Sequence, residues 1–411
     1  DCSEYSEIFI LNSSNLTVNG GSPMLLRIVN SKEITITNLD LSSPRIEIQH
    51  SSDVLIEDIG IENGNSLMYI LDSENVSISR CIINNQHLRL GAYNSKRIAI
   101  RDNVILETEI FFVAQNCDDI EFVNNTILIK RHGYESSINI LDSLNVVIDR
   151  NNVSSGYSYF KVVIQQTNNV CFFENSIGAY LYTAYLTNGV FINNKFLENI
   201  HCRFIKNAIF RDNMDYGGLS IFAGFDIEIS NNTFGKRYRS TLVLEGIANA
   251  TVINNKIYGD YRGILIGLSV YVEASSNLVR AYGIGVDVWL STLIRILDNR
   301  IVSEELGINI HKSMSITVSN NFITISGFGD EEERYCIYVE KSRNILISWN
   351  ACSGGKYLFI DDDSRNIIDR GGSVLADATF LAIIDLGLIA FILLISDALQ
   401  SRSVVGESDE G

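Results

Sequence analysis

The chain repeats itself about every 22 residues, and this period limits the fold more than any other feature. Asp119-Ile-Glu-Phe-Val-Asn-Asn-Thr-Ile127, Asp226-Ile-Glu-Ile-Ser-Asn-Asn-Thr-Phe234 and Ser315-Ile-Thr-Val-Ser-Asn-Asn-Phe-Ile323 follow one template. It reads apolar, polar, apolar, two mostly polar residues, Asn, any residue, apolar. The template Asn forms a column at Asn103, Asn125, Asn151, Asn175, Asn194, Asn213, Asn232, Asn255, Asn277, Asn299, Asn321 and Asn350. Leu39, Ile59 and Cys81 fill the column upstream. Many steps are 22 residues, with shorter ones of 19 and longer ones of 24, 26 and 29. A second column of small polar residues, among them Ser31, Ser73, Ser143, Thr167, Ser313 and Ser364, lies three residues before the template's first apolar position. Before that comes another alternating stretch, such as Leu67-Met-Tyr-Ile70. Each repeat therefore predicts two or three short strands joined by polar corners.

Few architectures accept this pattern. Leucine-rich repeats need a Leu-x-x-Leu-x-Leu frame that is missing, and propeller blades need about 40 residues. A parallel β-helix fits, each repeat being one coil stacked about 4.8 Å from the next. Sixteen or seventeen coils would make a rod roughly 80 Å long. The Asn column is expected to turn the chain near the left-handed region and to hydrogen-bond along the axis as a ladder. On these motifs, residues 10–372 resemble the right-handed parallel β-helix superfamily, and within it NosD-like and pectate-lyase-like repeat proteins of microbial cell envelopes. The resemblance implies an all-β, right-handed parallel β-helix and leaves function open.

Composition narrows the partners. Lys and Arg number 32 against 49 Asp and Glu, a net charge of −17, which repels phosphate backbones and argues against nucleic acid. Of seven cysteines no two form a CxxC pair, so a zinc knuckle or thioredoxin-type site is not expected. The odd count leaves at least one thiol free or bonded between chains. The first residue is Asp1, consistent with a removed leader.

The repeat stops after Gly371-Gly372. We expect a β-helix domain over 1–372, a linker at 373–377, a transmembrane helix at 378–396 and an acidic tail at 397–411. The nineteen residues 378–396 hold one charge, Asp385, and are apolar nearly all round, which suits a bilayer; the alternative is a helix capping the last coil. A carboxylate in such a span marks Asp385 as a candidate for assembly with other membrane subunits. Sequons begin at Asn12, Asn15, Asn75, Asn124, Asn152, Asn231 and Asn249, candidate glycosylation sites if the rod lies outside the membrane.

Catalytic signatures are sparse. Polygalacturonase-type hydrolases pair aspartates with Gly-His-Gly, and the chain has neither that motif nor Arg-Ile-Lys. Asp118-Asp119 reads as a solvated corner. Asp361-Asp362-Asp363 and the loop Asp330-Glu331-Glu332-Glu333 offer oxygen ligands for a hard cation, but read first as surface charge. His50, His87, His132, His201 and His311 lack metal-ligand spacing, and the four methionines are scattered, so copper handling is not expected. Tyr157, Tyr159, Tyr180, Tyr182 and Tyr185, and later Tyr258, Tyr261 and Arg262, suggest either cross-coil stacks or a surface for a glycan ligand. The expectation is a membrane-tethered, extracytoplasmic rod with a structural, adhesive or scaffold role and no cofactor. The alternatives are a polysaccharide lyase or hydrolase, or an accessory subunit of a membrane complex.

Overall fold

The computed structural model describes residues 7–374, apart from 43, 63, 85–86, 107–108, 130–135, 156–159, 236–239 and 328–333. All regular structure in them is β. One coil shows the plan: strands Asn65–Leu71, Glu74–Ser79 and Ile82–Asn84 form three faces around a core. The next coil, His87–Tyr93, Lys96–Arg101 and Val104–Leu106, pairs parallel with it, setting Met68 beside Leu90, Ile78 beside Ile100 and Ile83 beside Ile105. First and second faces merge into a 30-stranded sheet, and the third face is a 16-stranded sheet. Alternation explains which side chains enter: Met68, Ile70, Val76, Ile78 and Ile83 are buried, while Tyr69 and Ser77 between them face outward. Burying each such isoleucine contributes about 1.5–3 kcal/mol.

The corners are polar ladders. Asn103 donates its backbone N–H and its Nδ2–H to Asn125 Oδ1, at 3.1 and 3.0 Å, and a second Nδ2–H to the Ile78 carbonyl at 3.0 Å. The pattern repeats from coil to coil as far as Asn350. Cys81 N–H closes the upstream end on Asn103 Oδ1. Above it Leu39 and Ile59 are buried at the same position, so the first coils stack apolar side chains there. At the other corner the serine hydroxyls accept the N–H of the preceding coil, as Ser73 Oγ does from Ser51, and donate to a carbonyl two residues back.

The expected left-handed backbone falls elsewhere. Ladder asparagines are not the turning residues; the residue before each one is, as at Asp102, Asn124, Arg150 and Trp349, with φ between 50° and 58°. A ladder side chain must point inward beside its neighbours above and below, so its predecessor makes the bend.

From Tyr180 to Ile253 the plan changes. First and second faces fuse into single strands, Tyr180–Ile192, Ile200–Arg211, Leu219–Ser230 and Ser240–Ile253. The serine column there becomes Leu186, Ile205, Gly224 and Ile247. The third face shrinks to two residues, as in Lys195–Phe196 and Met214–Asp215, which accounts for the 19-residue steps.

Near the C-terminal end Cys336, on the first face, is disulfide-bonded to Cys352 on the third face of the same coil. Cys81, Cys117 and Cys202 are buried free thiols, and burial pushes Cys81 up to about 11. Closing a loop of 16 residues should stabilise this coil by about 3 kcal/mol. We expect the Cys336→Ala/Cys352→Ala variant to melt lower than the oxidised protein and to be indifferent to reductant, whereas wild type drops to the variant's melting temperature when reduced.

The expected span 378–396 with Asp385, and the tail 397–411, lie outside the described residues, as do Asp330-Glu331-Glu332-Glu333, His132, Tyr157 and Tyr159. Among the described residues no helix is long and apolar enough to cross a membrane.

Candidate binding site on the C-terminal coils

The corner from third face to first face changes character between residues 256 and 326. Three segments stack there at 22-residue steps: Tyr258-Gly259-Asp260-Tyr261-Arg262, Arg280-Ala281-Tyr282-Gly283-Ile284 and Val302-Ser303-Glu304-Glu305-Leu306. Third-face pairing sets Tyr258 beside Arg280, Arg280 beside Val302 and Val302 beside Thr324. The turns are tied across coils: Tyr282 N–H donates to Gly259 O, Ile284 N–H to Tyr261 O and Glu304 N–H to Tyr282 O, at 3.3, 2.8 and 3.2 Å. Gly283 is required, because a Cβ there would lie 2.5 Å from the Tyr261 ring.

These turns open a groove of about 350 Å³ lined by Tyr258, Asp260, Arg280, Tyr282, Glu304 and Ser326. Tyr282 is 64 % exposed and Tyr258 38 %. Arg280 Nε is buried there with no hydrogen-bond partner. A groove lined by a guanidinium and two tyrosine rings is suited to a polar ligand with acceptor oxygens and an apolar face. Asp260 and Glu304 stand in the same corner column two coils apart, roughly 10 Å by the strand spacing.

On the first-face side the corner is fixed by a cluster around the buried Asp287. Arg262 lies over the Tyr261 ring at 5.3 Å, and its Nε is 2.7 Å from Asp287 Oδ2. That contact is an ion pair. Asn309 Nδ2 donates to Asp287 Oδ1 at 2.8 Å. Burial pushes the Asp287 carboxyl up, and Arg262 and Asn309 only partly offset it. His311 Nε2 is buried in the same region without a partner.

Other residues singled out from the sequence are dispersed. Asp118 and Asp119 accept the Asn145 amide at 2.9 and 3.0 Å as part of an exposed corner ladder. Asp361 accepts the Lys341 N–H and the Ser364 hydroxyl, which folds a turn; Asp362 and Asp363 are exposed. Among the described residues no three His, Cys, Asp or Glu side chains are grouped to hold a metal ion. His50 lies 3.8 Å from Asp72, and His201 stacks on Tyr182 with Phe222 on the next coil. Tyr180, Tyr182 and Tyr185 are cross-coil stacks, the last on Phe204. All seven sequon asparagines are exposed.

Tyr258, Tyr261 and Arg262 are thus brought together, and Asp260, Arg280, Tyr282, Glu304 and Asp287 join them unannounced. The one available signal was their spacing, since Asp260 and Glu304 differ by two 22-residue steps and Tyr258 and Arg280 by one.

Residues 225–371 match the family model described as periplasmic copper-binding protein (NosD), and the groove lies inside that stretch. The fold is an all-β parallel β-solenoid. Among solved structures, the periplasmic alginate epimerase AlgG is similar at 12 % identity and TM-score 0.43, over 80 % of this chain and 77 % of its own. The A-module of the Azotobacter vinelandii mannuronan C-5 epimerase AlgE6 is similar at 14 % identity and TM-score 0.39, over 82 % and 91 %. PfbA, a surface adhesin of Streptococcus pneumoniae, is similar at 16 % identity and TM-score 0.38, over 69 % and 85 %. No curated protein matches the sequence significantly.

Proposed function

We propose that this protein is an extracytoplasmic, membrane-tethered rod that binds glycans in the groove of its C-terminal coils, with an adhesive or scaffold role. The observation that carries the reading is the groove itself, where Arg280 and the exposed rings of Tyr258 and Tyr282 line one open surface. Tyrosine faces stack on sugar rings, and a guanidinium supplies paired donors to hydroxyl or carboxylate oxygens. The Cys336–Cys352 bridge supports an oxidising compartment, and residues 378–396 would supply the anchor. With the rod outside, the exposed sequons would be open to glycosylation and Asp385 to pairing within the membrane.

Asp260 and Glu304 favour a second reading. Two coil spacings of about 4.8 Å bring the two residues to the upper end of the separation in an inverting hydrolase, whose carboxylates flank the sugar with room for a water. One experiment separates the two. The full chain in mild detergent is titrated with neutral and acidic polysaccharides by calorimetry, and the mixtures are assayed for new reducing ends. We expect saturable binding without cleavage, weakened at least ten-fold by Arg280→Ala and retained in Glu304→Gln. Reducing ends that appear with wild type and vanish in Glu304→Gln would replace the binding role with the hydrolase.

A further inference from the structure

Asp287 faces outward and is nevertheless buried. It lies in the strand Ile284–Trp289, where Val286 and Val288 fill the core, so alternation sends Asp287 to the outer surface of the first face. Leu265 pairs with it in the coil above and Asn309 in the coil below. It is 5 % exposed. A carboxylate taken out of water in this way must be answered by a cation and by donors. The two strands packed against its own, Arg262–Gly267 and Leu306–His311, carry two charged or titratable residues, Arg262 and His311. Arg262 Nε stands 2.7 Å from Oδ2, Asn309 Nδ2 donates to Oδ1 at 2.8 Å, and His311 adds an attractive field.

The ion pair reaches the groove through two further contacts. Arg262 lies over the Tyr261 ring at 5.3 Å. Tyr261 O accepts the N–H groups of Gly283 and Ile284 at 3.0 and 2.8 Å, and the Tyr261 ring fills the space that a Cβ on Gly283 would need. The turn supported in this way carries Tyr282, one wall of the groove. Asp287 touches none of the groove's lining, so its influence passes through Arg262 and Tyr261.

We infer, on the reading of the groove as a glycan site, that Asp287 is its positioning residue and makes the groove's affinity depend on pH. Ionised, Asp287 holds Arg262 on Tyr261 and the Tyr282 turn is fixed. Protonated, it lets Arg262 go and the turn loosens. Burial pushes the Asp287 carboxyl above the ordinary value of 3.8, with Arg262 and Asn309 offsetting part of the rise. It therefore takes up its proton in mild acid, ahead of carboxylates such as Glu47 that are held low. If the ionised form is the one that binds, the apparent affinity scales with the ionised fraction and falls as pH drops.

The test is calorimetry of the full chain in mild detergent, from about pH 8 to about pH 4, with dextran, which does not titrate, and with polygalacturonate. Emission of Trp289 is followed in parallel in a Trp349→Asn background, which leaves one of the chain's two tryptophans. Whichever polysaccharide binds should bind wild type about ten-fold more weakly for each pH unit below the carboxyl's pKa. Trp289, two residues along the same outer surface, should change emission over the same range. Asp287→Asn keeps an acceptor for Asn309 and removes the charge, so it should bind with the weakened affinity at every pH and lose the emission change. Arg262→Gln removes the other half of the pair; it should do the same, and serves if Asp287→Asn does not fold. Wild-type affinity that is constant across the range overturns the inference, as does an Asp287→Asn profile that matches wild type. An emission change that survives in Asp287→Asn belongs to His311, beside Trp289 in the next coil, and overturns it as well. If neither polysaccharide binds, the glycan reading fails by itself and the emission decides: a change lost in Asp287→Asn upholds the pH-dependent corner, and no change in wild type overturns it.

Discussion

Asn255→Ala is expected to destabilise the coil stack by about 4 kcal/mol. Asn255 Oδ1 accepts both the backbone N–H and the amide of Asn232, at 2.9 and 3.0 Å. Its Nδ2 donates to the Ile229 carbonyl at 2.9 Å and to Asn277 Oδ1 at 3.0 Å. Alanine leaves the two Asn232 donors and the Ile229 carbonyl unpaired in a site only 1 % exposed. Each buried orphan costs about 1–3 kcal/mol, partly relieved where a water can enter. Asn255→Asp should be no better above neutral pH, since a carboxylate keeps the acceptor, loses the donors and faces Asn277 Oδ1. By contrast Asn188→Gly, on the exposed ladder between Asn169 and Asn207, should cost only a few tenths, because water replaces its partners and glycine keeps the left-handed turn. Guanidinium unfolding followed by far-ultraviolet circular dichroism checks both. Equal losses at the two positions would show that the buried ladder is no more than a surface decoration.

The second large effect is a dependence on pH set by one residue. Asp215 occupies the inward column of the third face, between Phe196 and Phe234. Its Oδ1 accepts Gly217 and Gly218 N–H at 2.8 and 3.0 Å, while Oδ2 is buried without a partner. Burial among aromatic rings pushes the carboxyl up to about 7, against 3.8 in the open chain, and the two glycine N–H groups offset only part of that. A group whose folded pKa is raised binds more protons folded than unfolded across that window. This carboxyl's contribution to stability therefore falls as pH rises from about 4 to about 7, by a few kcal/mol in all. Asp215→Asn keeps the acceptor for both glycines and removes the charge. It should be about as stable as wild type near pH 4 and more stable by about 2–4 kcal/mol above pH 7, read as the difference between their unfolding curves. Carboxylates such as Glu47, which is held below the ordinary range by hydrogen bonds from Arg27 and Arg45 despite its burial, act in the opposite sense in both proteins and cancel in that difference.

The fold was legible because the chain states it many times over. Every coil offers the same alternation, and the twelve asparagines fall at one depth, since a ladder works only if each rung repeats. The turning residue was misplaced by one, because Asn at the column also satisfies the composition of a left-handed corner; only the coordinates separate the rung from the bend before it. The groove was half legible. Tyr258, Tyr261 and Arg262 stood out as a local cluster, whereas Arg280 and Glu304 are unremarkable until a 22-residue step is laid under Asp260. Asp215 was hidden by the 19-residue steps, which shift the register and make a core position read as a corner. A site assembled across coils leaves no contiguous motif, and that is why the repeat announces the scaffold and conceals what is mounted on it.

The hydrogen bonds between coils run along the rod, each coil bonded only to those above and below. Tension applied lengthwise therefore loads these links in series, and the weakest junction parts while the remainder holds. A rod built this way yields in small steps, each releasing one loop of slack, and the covalent bridge in the coil of Cys336 and Cys352 limits how much chain that loop can surrender.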